Sequence, residues 1–353
     1  MNVTFLIGNG FDLACGLKTS YLDFLGYYLE VHSDSDNIKF FKDNIAKDLS
    51  TWADAEYAFG KYTERYKVED VLAFRECYDD FINYLSKYLG EQEKRLYIKN
   101  FSGEASLAFE HGLFYFDSYL PEESKERLLE LYNSFRIDAR TFNILTFNYT
   151  NLFEKMFYGV QDENVPENFT TLLNGSTCAN LLNSVAYVHG DRRNPPLVFG
   201  VDNESQVANK ELLALPRFTR SIIKPDGNRQ IRNKIVKTCV EIIEKSSIIC
   251  IYGMSIGATD TIWWSRILEW LKKDSSHQLI QYVHEPKCIR DSVGSYADSL
   301  DDCREHLYQR FAMTTADLAE VRNQIHIELN KDLFGVMEYV RPYLDVPESE
   351  FPF

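Results

Sequence analysis

The chain alternates between short apolar runs that end at turn residues and longer segments with an apolar residue at every third or fourth position. The apolar run at 2–7 is ended by Gly8-Asn9-Gly10, and similar runs lie at 142–147, 186–188, 197–199, 248–252 and 279–283. Runs of this length bounded by turn residues predict buried strands. Strands that alternate with helices predict βαβ units and a parallel sheet.

Between the first predicted strand and the second, the pattern is helical. Apolar residues recur at three- and four-residue spacing from Val71 to Tyr88, with charged residues between them, which predicts an amphipathic helix. A shorter helix is predicted from about Leu13 through Leu25. Pro121, followed by two acids, starts another.

After Arg140 the pattern returns to alternating strands and helices. One helix is predicted with Ile231, Ile235, Cys239 and Ile242 on a single face, and another is predicted at 261–271. The two helices flank the predicted strand at 248–252, which indicates a βαβ arrangement in this half of the chain.

These patterns predict an α/β fold: a doubly wound, mostly parallel, Rossmann-like sheet with a large all-helical insertion. No strand is predicted between 31 and 137. We therefore expect a discontinuous core made of 1–30 and 140–345, and an insertion made of 31–139.

Composition narrows the classes of function. The 353 residues include 38 Lys and Arg and 53 Asp and Glu, a formal net charge of −15. This charge repels a polyphosphate backbone, so we do not expect extended nucleic acid as a partner. No leader and no stretch of roughly 18 apolar residues is visible, so we expect no membrane partner. Seven scattered cysteines without a C-x-x-C pair are typical of a cytoplasmic protein without a structural zinc site.

The turn after the first strand carries the first candidate site, which comprises Gly8, Asn9, Gly10, Phe11 and Asp12. Glycines at this point of a nucleotide-binding α/β fold let the backbone approach a pyrophosphate. The full G-x-G-x-x-G pattern is absent, so a tight strand–helix turn without a ligand is an equal alternative. A carboxylate beside a phosphate is repulsive. Asp12 is therefore expected to cap the helix, to bind a ribose hydroxyl or to hold a metal.

Two further candidate loops follow predicted strands. Thr146, Phe147 and Asn148 end one strand, and an asparagine there can bind ribose hydroxyls or cap the helix from Leu152. His189 ends another strand and precedes Gly190 and an acid. A histidine so placed acts as a general base near neutral pH, or it is a structural residue with satisfied hydrogen bonds.

A third loop follows the strand at 248–252 and contains Gly253, Ser255 and Asp260. Its glycines suit close approach to a ligand. For Asp260 the default expectation is a cap of the next helix. Because the carboxyl ends of parallel strands meet at one edge of the sheet, all four loops are expected to form one pocket.

Several of these segments resemble known families. The opening LIGNGFDLACGLKTSYLDF resembles the N-terminal signature of the AbiH family of bacterial phage abortive-infection proteins, as do Trp52-x-Asp54-x-Glu56 and Phe147-Asn148-Tyr149-Thr150. The order Gly-x-Gly, Asn, His-Gly, Gly-x-Ser also resembles the sirtuin-like NAD-binding fold. That second resemblance covers roughly 2–26 and 142–262.

The sirtuin-like resemblance implies an NAD-cleaving site. Asn148 would orient the nicotinamide ribose, and His189 would bind or deprotonate a ribose hydroxyl or help to activate water. Gly8 and Gly10 would line the pyrophosphate, and Ser255 would contact the far ribose or phosphate.

Two residues depart from the sirtuin-like pattern. Asp12 adds a negative charge at the pocket, and Thr150 stands where that pattern has an acid. The paired zinc cysteines of protein deacetylases are also missing, which argues against that activity.

The Trp52-x-Asp54-x-Glu56 motif lies in the insertion, outside the predicted core. On a helix, Trp52 and Glu56 share a face and Asp54 points away. The motif is either a helix start with acids that favour the helix dipole, or it brings Glu56 back to the pocket.

Three functions remain open. The leading hypothesis is an anti-phage effector that hydrolyses the N-glycosidic bond of NAD or a related nucleotide, with Asn148 and His189 as catalytic residues and no metal. The second is a non-catalytic nucleotide-binding sensor or regulatory subunit. Whichever function holds, the expected partners of the chain are a nucleotide ligand and a second defence-system protein or a phage-derived trigger, and a homo-oligomer is compatible with the chain.

The third hypothesis is a metal-dependent nuclease or phosphohydrolase. It would use four acids, namely Asp12, Asp54, Glu56 and Asp191. A nucleic acid would then need a local basic patch, for which the candidates are Arg192, Arg193, Arg217, Arg220 and Lys224.

Overall fold

The computed structural model describes residues 1–96, 103–134, 139–159, 169–173, 176–289 and 291–341. Seven strands form one mixed sheet, in the spatial order β3-β4-β2-β1-β5-β6-β7. The strands are β1 (Asn2–Ile7), β2 (Ala139–Thr146), β3 (Phe169–Leu173), β4 (Ser176–Tyr187), β5 (Ile248–Tyr252), β6 (Gln278–Val283) and β7 (Ile325–Leu329). The chain is therefore an α/β protein.

The helices of the described residues fall into two groups along the chain. Before β2 they are α1 (Gly10–Ala14), α2 (Tyr21–Glu30), α3 (Asp36–Lys47), α4 (Leu49–Trp52), α5 (Ala55–Tyr62), α6 (Val71–Lys94), α7 (Gly103–Phe114) and α8 (Glu122–Ser134). After β2 they are α9 (Leu152–Gly159), α10 (Pro216–Ile222), α11 (Lys224–Ile231), α12 (Asn233–Lys245), α13 (Thr261–Lys273), α14 (Val293–Arg310), α15 (Thr315–Val321) and α16 (Val336–Tyr339). None of the helices in these ranges is both long and apolar enough to cross a bilayer.

Six of the seven strands are parallel, and only β3 pairs in the antiparallel sense, with β4. Without β3, the order of the parallel strands is third, second, first, fourth, fifth, sixth along the chain. This is the order of doubly wound dinucleotide-binding sheets, whose ligands bind beyond the carboxyl ends of the strands. The direction of winding reverses between β1 and β5, so the loops after these two strands lie side by side.

Helices cover both faces of the sheet and bury its central strands. On one face, Phe5 of β1 belongs to an apolar cluster that includes residues of α7, α8 and α9. On the other face, the adjacent Leu6 belongs to a cluster with residues of α12, α13 and α14. Because successive side chains of a strand point to opposite faces, a strand covered on both sides must be apolar at nearly every position.

A separate aromatic cluster contains residues from the five helices α2–α6 and from a later segment of the chain, 199–223. The ring centroids of Phe24 and Phe59 each lie 4.9 Å from that of Phe81, in edge-to-face geometry. Phe199 lies 5.7 Å from Phe81. The helices before β2 therefore do not share one core. α2–α6 pack with 199–223, whereas α7 and α8 pack on the sheet.

Most of the predicted elements are confirmed, with informative exceptions. β1 and β5 match their predicted ranges, and the described residues between β1 and β2 contain no strand. The strand predicted at 197–199 is wrong. This segment belongs to no strand: Val198 donates its N–H to the His189 carbonyl, and Phe199 belongs to the aromatic cluster described above. The single helix predicted through Leu25 is also wrong, because Gly16 adopts φ +89° after α1 and separates it from α2.

Other differences concern boundaries. β4 is much longer than its predicted 186–188, and β3 and β7 are not predicted at all. α12 begins at Asn233, so Ile231 ends α11 instead and is 52% exposed. The predicted core ends at 345, beyond the last described residue, and the domain boundaries stay predictions.

Candidate functional site

A cavity of about 470 Å³ lies beyond the carboxyl ends of β1, β2, β4 and β5. All four predicted loops contribute to it. The predicted residues that line it are Gly8, Asn9, Gly10, Asp12, Phe147, Asn148, His189, Gly253, Ser255 and Asp260. Asp54 and Glu56, at the start of α5, close it from the insertion side. Residues that are far apart in sequence therefore meet in one place.

The glycine turn after β1 packs directly against the loop after β5. A Cβ on Gly8 would lie 2.6 Å from the Gly253 carbonyl oxygen, and a Cβ on Gly10 would lie 2.6 Å from the Gly253 Cα. Real Cβ atoms do not approach other atoms so closely, so only glycine fits at either position. The two glycines are required by this contact between loops, with or without a ligand.

Three backbone donors of this turn are already engaged. Gly8 donates its N–H to the Tyr252 carbonyl (3.0 Å), Gly10 to the Gly253 carbonyl (2.7 Å) and Phe11 to the Gly8 carbonyl (3.0 Å). The Asn9 side chain is also occupied. Its amide donates to the Thr19 carbonyl, and its oxygen accepts from the Thr19 hydroxyl.

Asp12 lies beneath the turn and is only 1% exposed. Thr150 donates its hydroxyl to Oδ2 of Asp12 at 2.5 Å, and Asn148 donates its amide to Oδ1 at 3.1 Å. Burial raises the pKa of Asp12 to about 7, and the charge of Glu93 adds to this, although the two hydrogen bonds oppose it. The two residues that depart from the sirtuin-like pattern, Asp12 and Thr150, therefore contact each other.

Asn148 does not cap α9. Its side-chain amide bridges Asp12 and the Gly8 carbonyl oxygen, both at 3.1 Å. The backbone N–H of Asn151, which precedes α9, instead donates to the Glu93 carboxylate at 2.7 Å. The cap interpretation of Asn148 is wrong because α9 begins at Leu152, so Asn151 and not Asn148 holds the N-cap position.

His189 and Asp260 form a close pair at the cavity wall. Nε2 of His189 lies 2.8 Å from Oδ1 of Asp260, and His189 is only 3% exposed. Since a carboxylate only accepts, the neutral ring carries its proton on Nε2. Among the described residues, Nδ1 of His189 has no hydrogen-bond partner and is buried. The Phe147 ring packs edge-on against the imidazole, with centroids 5.5 Å apart.

Asp260 occupies the N-cap position of α13, but its side chain makes no capping hydrogen bond. The predicted cap is therefore correct in position and wrong in role. Its Oδ1 also lies 2.8 Å from Nζ of Lys224. Burial alone would raise the pKa of Asp260, but Lys224 and His189 hold it well below its ordinary value.

Lys224 extends this pair into a longer series of contacts. Its Nζ lies 2.7 Å from Oε2 of Glu56, and the Tyr149 hydroxyl donates to Oε1 of Glu56 at 2.8 Å. Burial alone would lower the pKa of Lys224, but the carboxylates of Asp260 and Glu56 raise it above its ordinary value. We call the five residues the charge chain: His189, Asp260, Lys224, Glu56 and Tyr149.

Lys224 is the functional candidate that sequence reasoning placed wrongly, as part of a basic surface patch. It is the first residue of α11, where a positive charge opposes the helix dipole. That local conflict is the one sequence signal that marks it. Its side chain is 2% exposed because its partners come from two other segments of the chain.

The motif in the insertion is resolved in two parts. Asp54 is the N-cap of α5 and accepts the Tyr57 N–H at 3.1 Å, which confirms a helix start. Glu56 reaches the pocket and joins the charge chain. Trp52 does not share a helix face with Glu56, because α4 ends at Trp52 and α5 begins at Ala55.

Three of the remaining predicted residues, Phe11, Thr146 and Gly190, support the cavity from outside it, and the fourth, Ser255, lines it. Phe11 is buried in the sheet core, 4.9 Å from the Phe153 ring. The Thr146 hydroxyl accepts the Asn148 N–H. Gly190 adopts φ +85°, and a Cβ there would meet the Arg232 guanidinium. Ser255 lines the cavity and is exposed.

The acids and bases of the nuclease hypothesis are mostly committed to other contacts. Arg192 pairs with Glu93, and Arg193 pairs with Glu154 and Asp191. In the part of the chain that the structure describes, no three His, Cys, Asp or Glu side chains are grouped to hold a metal. The four proposed acids do not converge on one point.

A family model described as bacteriophage abortive infection AbiH matches residues 4–282. The matched span contains the glycine turn, the insertion and the whole charge chain. No curated protein sequence matches the chain.

Proposed function

This chain belongs to the bacteriophage abortive infection AbiH family, and from that premise we propose that it is a hydrolase that cleaves the N-glycosidic bond of NAD or a related nucleotide. The family indicates a role in abortive infection. One observation carries the finer proposal. Asn148 and the His189–Asp260 pair line the same cavity at the carboxyl edge of a Rossmann-ordered sheet.

The reaction to be catalysed is a hydrolysis. The bond between the nicotinamide nitrogen and C1′ of the ribose breaks, and its electron pair neutralises the pyridinium. The oxygen of a water molecule bonds to C1′ and gives up a proton. Because C1′ passes through an oxocarbenium-like state, groups that orient the ribose and accept a proton lower the barrier.

Asn148 is proposed to hold the ribose. Its amide nitrogen is fixed by Asp12 and the Gly8 carbonyl, so the orientation of its side chain is set before a substrate binds. Within the described residues, its Oδ1 accepts no hydrogen bond, which leaves it to accept one from a ribose hydroxyl. Preorganisation of this kind lowers the entropic cost of positioning the substrate.

His189 is proposed to accept the proton. Asp260 fixes the proton of the neutral ring on Nε2, so the lone pair of Nδ1 is the basic site. Lys224 keeps Asp260 ionised, which preserves this tautomer and stabilises the imidazolium once it forms.

The test is release of nicotinamide from NAD⁺, followed by chromatography. We expect His189→Gln and Asn148→Ala each to lower kcat by about 100-fold or more, in line with the loss of a proton-transfer group or a fixed polar contact. His32→Gln is the matched control, because His32 is 83% exposed and lies outside the cavity.

The reaction should continue in EDTA, because no step uses a metal. Full activity in both site variants would contradict the roles of Asn148 and His189. Absence of nicotinamide release from NAD⁺ and from nicotinamide riboside alike, with the folded wild-type chain and its proposed trigger present, would contradict the proposed reaction.

A nucleotide-binding sensor is the second candidate, and one observation favours it. Nδ1 of His189 is enclosed, so the residues around it must move before this atom can meet a substrate. Calorimetry separates the two functions. Tight binding of NAD⁺ with no product after several hours supports the sensor, whereas turnover supports the hydrolase.

A further inference from the structure

The cavity carries an excess of negative charge although a dinucleotide is expected to bind there. Among the described residues that line it, four carry carboxyl groups and none is a lysine or an arginine. The four acids are Asp54, Glu56, Asp260 and Asp12, of which Asp12 keeps its proton up to a pH of about 7 because burial raises its pKa. Sites that bind phosphate normally present arginine, lysine or free backbone N–H groups.

Lys224, a buried cation next to the cavity, does not make the net charge of this region positive. Lys224 lies 2.7 Å from Glu56 and 2.8 Å from Asp260, and its side chain is 2% exposed. One positive charge is therefore shared by two carboxylates, which leaves an excess of one negative charge in this group alone. Asp54 lines the same cavity, and its carboxyl interacts electrostatically with Glu56, Lys224 and Asp260.

Three of the helix N-termini near the cavity carry the protein's own acids. Asp54 caps α5, and Glu93 accepts the Asn151 N–H at the start of α9. Asp260 sits at the N-cap of α13. Each of these positions would otherwise favour a bound anion. The protein's own carboxyl groups already supply negative charge there, so these helix N-termini do not attract a phosphate.

The backbone N–H groups of the glycine turn offset this negative charge only in part. The N–H groups of Gly8, Gly10 and Phe11 all donate to backbone carbonyls at 2.7–3.0 Å. The oxygen of the Gly253 carbonyl faces Gly10, where a phosphate cradle would present a donor. Three of the five N–H groups in this turn are therefore engaged within the protein and do not face a phosphate.

We propose that the cavity selects phosphate-free N-ribosides, either uncharged or cationic nucleosides, and keeps phosphate groups outside. This inference rests on the proposed N-glycosidic reaction and specifies its substrate class. Carboxylates accept hydrogen bonds from ribose hydroxyls, and they attract a pyridinium base. The same carboxylates repel the 5′-phosphate of a nucleotide.

The test compares three compounds with the same leaving group: nicotinamide riboside, its 5′-monophosphate and NAD⁺. We expect kcat/KM for the riboside to exceed that for the monophosphate by at least about tenfold, because a charge is repelled at close range. Raising the salt from about 0.05 M to about 0.5 M should narrow this ratio, since salt screens the repulsion.

A variant locates the effect. Asp54→Asn removes one cavity carboxyl while its side-chain oxygen can still accept the Tyr57 N–H, and it should lower the riboside-to-monophosphate ratio severalfold. Asp36→Asn is the control, because this aspartate is 98% exposed on α3 and should leave the ratio unchanged.

The outcomes separate the two proposals. If the monophosphate or NAD⁺ is cleaved as well as the riboside or better, the inference is overturned and the hydrolase proposal stands. If none of the three is cleaved, the hydrolase proposal fails, and calorimetry with the same compounds tests the selectivity. Binding of the riboside about tenfold tighter than the monophosphate, or more, then supports the inference. Equal or weaker binding overturns it.

Discussion

Polar groups are buried in two walls of the cavity, and the two walls stabilise them in different ways. The glycine wall comprises Gly8–Asp12 with Asn148 and Thr150, and it uses close backbone contacts and one carboxyl that holds its proton near neutral pH. The charge chain on the other side uses ionised groups in alternating sign, with Lys224 between Glu56 and Asp260.

The difference shows where each wall is vulnerable. An ion pair in a low-dielectric interior balances desolvation only while both partners are present. A packed glycine turn depends instead on the absence of a Cβ. We therefore expect the charge chain to be sensitive to charge removal and the glycine wall to be sensitive to pH and to added volume.

Removal of the central cation should have the largest effect. Lys224→Met leaves the carboxylates of Glu56 and Asp260 buried without a counter-charge, which should lower the free energy of unfolding by about 3–5 kcal/mol. Urea denaturation measures the change. Lys272→Met is the control, because Lys272 is 40% exposed and water screens its pair with Asp317, so this loss should be much smaller. Equal losses in the two variants would remove the distinction between the charge chain and a surface pair.

The glycine wall should respond to pH through Asp12, whose pKa is raised by burial from 3.8 to about 7. The folded state binds this proton more tightly than the unfolded chain, so its stabilising contribution is complete below about pH 4. It is lost as the pH rises through about 7, at a cost of roughly 2–4 kcal/mol.

Asp12→Asn should flatten this part of the stability profile, because asparagine does not titrate. Thermal unfolding of the variant and the wild type at matched pH values between about 4 and 8 measures the difference. A wild-type profile that rises over this range with the same slope as the variant would contradict a protonated Asp12.

Added volume in the glycine wall should have the smallest effect. In Gly10→Ala the new Cβ would meet the Gly253 backbone at 2.6 Å, so one loop must shift, at a cost of about 1–3 kcal/mol. Gly26→Ala is the matched control. Gly26 lies inside α2, where an added Cβ would meet nothing within 4 Å, and this change should stabilise the protein by about 0.5–1 kcal/mol. Similar losses in both would show that the glycine wall is loosely packed.

The elements of the sheet could be predicted because their residues report local burial. β1 and β5 are apolar at nearly every position and end at glycine turns, which marks a strand covered on both faces. β3 and β7 carry no comparable signal. In β7, the buried residues His326 and Glu328 alternate with apolar residues, so the sequence shows no continuous apolar run there.

The candidate site could be predicted only in part. Strand ends identified Asn148, His189 and Asp260, because parallel strands bring their carboxyl ends to one edge. Lys224 could not be assigned correctly, because the local sequence pattern around a lysine does not show whether its side chain is buried or exposed. The partners of Lys224 lie 168 residues before it and 36 residues after it.

By itself, the sequence determined which runs are buried and which turns follow them, and hence that four loops meet at one edge of a parallel sheet. Hydrophobic periodicity reflects local burial, so the strands and the turns after them can be predicted from short segments of the sequence. Only the tertiary structure decided the polar contacts across those loops: the pairing of Asp12 with Thr150, the charge chain through Lys224, and the arrival of Glu56 from the insertion. Such pairings depend on where distant segments are brought together, and no local pattern encodes that.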